Sequence, residues 1–260
     1  MASTAMAKKK ETHLALMDDM VEDAGIGTDY APDEMLIPFL RIAQPLSPEI
    51  DEDTAKFTPG LKKGDLFNTV THDKWVGKEG VLVVPCYQVT KYLEFVPLLQ
   101  GGGFRGEINP SDPVLGQTTR DEDTGKDILP NGNEVIKSDQ HYCLLLDDEG
   151  GFQPIVVDMK ITQLKVSRRW KTQIKLKKVT HPKTDQQITP ALFASVWRLR
   201  VVSEENAKGK FYNYVVDSAG MVEGVEVYRE AKAFHESVKK GEAKAVPEQA
   251  QPQGDSDIPF

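Results

Sequence analysis

Val81-Leu82-Val83-Val84-Pro85-Cys86-Tyr87-Gln88-Val89, followed after Thr90-Lys91 by Tyr92-Leu93-Glu94-Phe95-Val96, decides the fold class. These runs are β-branched and aromatic, and they alternate with turn residues rather than repeating at helical spacing. Strand is the state they favour. Similar signals lie on both sides. Leu66–Val70 reads as a short strand, and His141–Leu146 and Phe152–Val157 as two more. Asp148-Glu149-Gly150-Gly151 between the last two has the composition of a hairpin turn. Phe193–Val202 and Lys210–Val216 form a second hairpin around Asn206–Gly209. Met35–Ile42 contains Pro38, which suits an edge strand or an extended packing segment.

Two stretches differ. From Ile161 to Lys175, Leu164, Ser167, Trp170 and Ile174 recur at helical spacing, with Lys165, Arg168, Arg169 and Thr172 on another face. Val222–Lys239 repeats the pattern with Val225, Tyr228, Ala231, Phe234 or His235, and Val238. Ser218 fits as its N-cap and Gly241 as its C-terminal stop. Residues 101–132 are rich in Gly, Pro, Asp and Thr and read as a long loop. About seven short strands and two helices indicate a mainly β protein (α+β). A small closed barrel removes the exposed edges of short strands, so an OB-type β-barrel with elaborated loops is expected. The expected boundaries are a disordered arm at 1–33, an OB-like domain at 34–241 and a disordered tail at 242–260.

Composition excludes several classes. The chain has 260 residues, 39% of them hydrophobic, and a formal charge of −8, which argues against a uniformly basic polyanion binder. Cys86 and Cys143 each sit in an apolar run, as two buried reduced thiols would in a cytosolic setting. No apolar run reaches the roughly 18 residues of a membrane span. Lys8-Lys9-Lys10 is followed by an acidic segment, not the apolar core of a signal peptide.

Charge is distributed unevenly. Lys160, Lys165, Arg168, Arg169, Lys171, Lys175, Lys177, Lys178 and Lys183 lie between Met159 and Thr184 with no acidic residue among them. Cations interleaved with aromatic rings suit a groove for single-stranded nucleic acid. The cations follow the phosphates, and a ring face accepts any base for about 1–3 kcal/mol. The expected phosphate contacts are the first eight of these cations, and Trp170, Tyr87, Tyr92 and Phe104 are the candidate stacking residues. Lys91, Arg105 and Lys126 are weaker candidates.

The residues leave rival chemistry open. Asp147 or Asp148 with Asp158-Met159-Lys160 has the residue types of a metal-dependent nuclease core. His72, Cys86, His141 and Cys143 are conceivable zinc ligands, without paired Cys-x-x-Cys spacing. Neither Gly101-Gly102-Gly103 nor Gly150-Gly151 is followed by the Gly-Lys-Ser/Thr of a phosphate loop. An interaction scaffold or transcription co-activator acting through the tail is a further alternative. No enzyme activity and no cofactor are expected.

The stretch Asp255-Ser256-Asp257-Ile258-Pro259-Phe260 is an aromatic anchor beside carboxylates, after a Pro- and Gln-rich connector. Asp-Ile-Pro-Phe resembles the C-terminal tip of bacterial single-stranded DNA-binding proteins. That likeness implies recruitment of replication or repair partners through Asp255, Asp257, Ile258, Pro259 and Phe260. Burying one Phe side chain contributes roughly 1.5–3 kcal/mol, enough for an exchangeable contact. The same anionic tip is expected to compete with nucleic acid for the basic stretch.

Leu36–Ile42, Leu46–Ile50, Gly64–Thr71, Val83–Tyr87, Asn131–Glu134 and Gln163–Trp170 together resemble the single-stranded DNA-binding proteins of T7-like tailed phages, over roughly residues 33–216. That resemblance implies an OB-type fold, single-stranded DNA binding in phage replication and recombination, and the host cytoplasm as the place of action. The tip departs from the purely acidic tails of other T7-like binders. Self-association is compatible with all of this.

Overall fold

The structure is a computed structural model, described here for residues 16–28, 35–122, 125–207 and 209–245. The chain divides into two units, Met1–Met35 and Leu36–Phe260. In the first, residues 16–22 are helical and are labelled α1.

The second unit is mainly β. Its strands are β1 (Phe39–Ile42), β2 (Leu66–Asn68), β3 (Lys74–Trp75), β4 (Val81–Phe95), β5 (Phe104–Ile108), β6 (Thr119–Arg120) and β7 (Asp127–Ile128). After them come β8 (Glu134–Leu146), β9 (Phe152–Lys160), β10 (Val179–Thr180), β11 (Gln187–Ile188), β12 (Ser195–Asn206) and β13 (Gly209–Met221). Two helices interrupt them, α2 (Leu164–Leu176) and α3 (Val225–Lys240). The described residues thus hold three helices rather than two, and more strands than the apolar runs suggest.

The main sheet runs β13-β12-β4-β8-β9-β1-β2-β3. β4, β8 and β9 form an antiparallel meander, α2 follows, and β12–β13 is a hairpin whose first strand returns beside β4. β1 lies parallel to β9. Pro38 stands just ahead of β1, where its missing N–H removes no ladder bond and its carbonyl accepts from Val156 N–H.

The sheet curls until its flanks share one interior. Leu40 and Leu66 from one flank, and Tyr214 and Val216 from the other, belong to the same buried cluster as Val83, Cys143, Val157, Trp197 and Leu199. Trp170 of α2 plugs it. The opposite face of the sheet is also buried: Val84, Cys86, Tyr142, Leu144 and Val156 pack under Ala231, Phe234 and Val238 of α3. Alternate residues of each central strand therefore enter different cores, so the strands read as continuous apolar runs. Cys86 and Cys143 are both buried and free.

β4 is one strand, where the sequence suggested two. Its register shifts between Pro85 and Tyr87, a bulge that accommodates the proline. Beyond the curled part of the sheet, the far half of β4 and the near half of β8 continue as a ribbon flanked by β5 and β7. Residues 101–132 are therefore not one long loop. Ser218 lies inside β13, and Gly224 is the N-cap of α3. Gly241 ends α3 at φ 78, a left-handed conformation that glycine adopts without strain.

Candidate nucleic-acid interface

α2 begins after a 3-10 turn at Ile161–Gln163 that re-aims the chain from β9 across the curled sheet. Ser167 and Trp170 face inward, with Ile174 packed beside them. Lys165, Arg168, Arg169, Thr172 and Lys175 are exposed. At 100° per residue these five fall within one third of the helix circumference. The periodicity alone already separates the faces this way.

The individual cations are committed to different degrees. Lys165 pairs with Glu204 of β12 at 2.9 Å. Glu204 titrates below its usual range: burial opposes this, but hydrogen bonds from Lys165 and Asn213 outweigh it. Lys177 donates to Ser218 Oγ and the Gly220 carbonyl of β13, both at 3.1 Å, and lies 5.4 Å from the Trp197 ring centroid. Burial lowers its pKa. Lys178 donates to Thr189 at 2.6 Å, and Lys160 pairs with Asp158 at 2.8 Å. Lys165 and Lys177 thus tether α2 to β12 and β13. Arg168, Arg169 and Lys175 have no carboxylate partner among the described residues.

Lys171 occupies the edge of the cationic face. It donates to Asp139 Oδ2 of β8 at 2.6 Å. Ser167 donates to the same oxygen at 2.6 Å, and Thr90 to Oδ1 at 2.7 Å. Burial pushes the Asp139 pKa up, but these three hydrogen bonds and the Lys171 charge hold it below the ordinary value. With its proton given to Asp139, Ser167 Oγ accepts from His141 Nε2 at 2.9 Å. The His141 ring stacks on Trp170 at 4.5 Å. Desolvation lowers the His141 pKa to about 3, so the ring is neutral.

Asp139 and Lys137 are two apart on β8 and share a face; Thr90 and Tyr92 do the same on β4. Tyr92 and Lys137 are direct cross-strand partners, with the lysine Nζ 5.9 Å from the Tyr92 ring centroid. The row from Arg168 and Lys175 through Lys171 to Lys137 and half-exposed Tyr92 is therefore continuous. Sequence reading missed Lys137; the period-2 alternation of Val135, Lys137, Asp139 and His141 was its only signal. Glu94, two residues past Tyr92, bounds the row. Side-chain hydrogen bonds from Asn133 and Asn131 lower its pKa and keep it anionic.

The other ring candidates lie elsewhere. Trp170 is 0% exposed and offers no face to a base; the spacing that put it among cations also put it on the inward stripe. Tyr87 packs against Tyr142 and His235 on the α3 side of the sheet. Phe104 is half-buried against Phe95, on β5. Lys91 and Lys126 pair with Glu107 and Glu134. Asp255, Asp257, Ile258, Pro259 and Phe260 lie outside the described residues.

The metal readings do not assemble. Asp147 accepts from the Glu149 and Gly151 N–H groups and so shapes the β8–β9 turn. Asp158 lies six residues beyond Phe152, about 20 Å along an extended strand, and bonds Ser138 and Lys160. One ion cannot bridge Asp147 and Asp158. His141 lies on the α2 side of the sheet while Cys86 packs under α3, so they cannot share a zinc ion. Among the described residues, no group of three or more His, Cys, Asp or Glu side chains is placed to hold a metal.

A curled, half-barrel sheet plugged by a helix that is apolar inside and cationic outside defines the class. The chain belongs to the Pam3 phage gp34-like protein family, whose model matches residues 7–244. No curated protein and no solved structure matches it. Among the described residues, no helix is long and apolar enough to cross a membrane.

Proposed function

We propose that this phage protein binds single-stranded DNA without sequence preference, in phage DNA replication and recombination. The observation that carries this reading is the cationic face of α2, where Arg168, Arg169 and Lys175 have no carboxylate partner among the described residues, and which continues through Lys171 to Lys137 beside Tyr92. Arg168, Arg169, Lys171, Lys175 and Lys137 neutralise phosphates, and Tyr92 stacks on a base. The connectivity supports it: a three-strand meander, a helix across the curled sheet, and a hairpin returning beside the first strand is the order expected of an OB-type barrel, here with β1 added beside β9. The likeness to T7-like phage binders points the same way.

The protein acts as a binder rather than an enzyme. Replication, recombination or repair proteins of phage or host are recruited through Asp255–Phe260. Fluorescence anisotropy with labelled oligonucleotides tests the reading: the single strand binds, and a duplex of the same length binds at least tenfold more weakly. Equal affinity for both, or none for either, overturns it.

A further inference from the structure

From Phe95 to Phe104, across the turn that joins β4 to β5, the chain carries no charged residue. Leu98 is 50% exposed there, and Leu99 is 102% exposed. Single exposed leucines are ordinary on a surface; here two adjoin at the tip of a ribbon. The tip holds its shape. Pro97 fixes the entry to a 3-10 turn at Leu98–Gln100. The Pro97 carbonyl accepts from the Gln100 and Gly102 N–H groups, and the Leu98 carbonyl from the Gly101 N–H at 3.0 Å. Gly101 and Gly103 have φ 102 and 117, which glycine adopts without strain. The rings of Phe95 and Phe104, 5.5 Å apart, brace the base of the turn.

This tip ends the ribbon that carries Tyr92 and Lys137. The Phe95–Phe104 rung lies three residues past Tyr92, about 10 Å along the strand. Anionic Glu94 stands between them, so the phosphate track stops where the apolar tip starts. Exposed Arg105 lies opposite the register shift between Glu94 and Phe95. An uncharged tip has nothing to offer a phosphate, but it fits the flat apolar face of a base. A ligand that presents phosphates as far as Tyr92 and a bare base face beyond it is a single strand at its junction with a duplex. Leucine side chains inserted between bases unstack them. We propose that Leu98 and Leu99 are a wedge that opens the end base pair of a duplex, while the row from α2 to Tyr92 holds the freed strand and Arg105 meets the phosphates of the other. The proposal rests on the single-strand reading above and adds a second ligand to it, the junction itself.

The test uses the full chain and a short duplex with a single-stranded tail, carrying 2-aminopurine in the base pair next to the tail. This base brightens when it loses its stack. Saturating amounts of the unaltered chain are expected to raise the fluorescence about twofold or more. Leu98→Ser with Leu99→Ser keeps the cationic row and Tyr92, so it should bind a plain single strand with about the same affinity. Its fluorescence rise should be less than about half that of the unaltered chain. Both leucines are exposed, so the melting temperature should not move. No rise with the unaltered chain, or a full rise with the variant, overturns the wedge and leaves the single-strand reading standing. A variant that loses single-strand affinity also overturns it, because the leucines then belong to the strand track. So does a variant that changes the sedimentation of the nucleic-acid-free chain, because a second copy then covers them. An unaltered chain that binds no single strand overturns the single-strand reading, and the wedge with it.

Discussion

The Gln44 carboxamide grips both backbone polar groups of Tyr212. Its Nε2 donates to the Tyr212 carbonyl at 2.8 Å, and its Oε1 accepts from the Tyr212 N–H at 2.9 Å. Gln44 follows β1 and Tyr212 lies in β13, so one side chain substitutes for a strand pairing where the curled sheet closes. Tyr214, donating to the Leu40 carbonyl at 2.9 Å, adds a second clasp.

Gln44→Ala should therefore destabilise the fold by about 1–3 kcal/mol, because two backbone groups lose their partners in a buried place. Urea unfolding monitored by tryptophan fluorescence reads this directly. A loss under ~0.5 kcal/mol would mean the flanks are held together by packing alone.

Two aromatic substitutions should behave oppositely. Trp170→Ala removes the plug of the curled sheet and should cost about 3–5 kcal/mol of stability. Tyr92→Ala, on the half-exposed ribbon, should leave the melting temperature nearly unchanged and weaken single-strand binding by about 1–3 kcal/mol. Reversed behaviour would put the stacking surface in the wrong place.

Acid should unfold the protein through His141. In the unfolded chain this ring takes up its proton near pH 6.5, but in the fold, where it faces Asp139, Lys171 and Asp158, it does so only at about pH 3. Between those values the unfolded state binds the extra proton, so stability rises with pH. It is fully present above pH 6.5 and is lost as the pH falls toward 3, at up to about 1.4 kcal/mol per pH unit. The lowered pKa of Asp139 adds loss of the same sign below about pH 4. Denaturant titrations at pH 7.5, 6 and 5 check this. His141→Gln should flatten the dependence between pH 6 and 5; an unchanged slope would assign it to other groups.

Deleting residues 250–260 should tighten single-strand binding at low salt, since the anionic tip competes for the same cations. The gain should vanish at high salt. Unchanged or weaker affinity at low salt counts against the competition.

Sequence carried the fold further than the site. The apolar runs marked the strands because both faces of β4, β8 and β9 are buried. They could not reveal that Val81–Phe95 is one strand: past the Pro85 bulge one face turns polar, with Gln88, Thr90 and Glu94. Helical spacing correctly divided α2 into inward Ser167, Trp170 and Ile174 and outward Lys165, Arg168, Arg169 and Thr172. Which cations of α2 are spent on tethers depends on Glu204 and Ser218, which are far away in the chain. Lys137 gained its place only from the β4–β8 register, a property of pairing rather than of local sequence.

The nucleic-acid reading rests on the charge of the outer face of α2. Anisotropy titrations at several salt concentrations, comparing the unaltered chain with Arg168→Ala/Arg169→Ala, put that charge to the test. The variant should bind every sequence more weakly, with an unchanged melting temperature. Its slope of log affinity against log salt should be shallower by about 0.7 for each phosphate that the two arginines no longer neutralise. A variant with the same affinity and slope, or one weakened for a single sequence only, would contradict the reading.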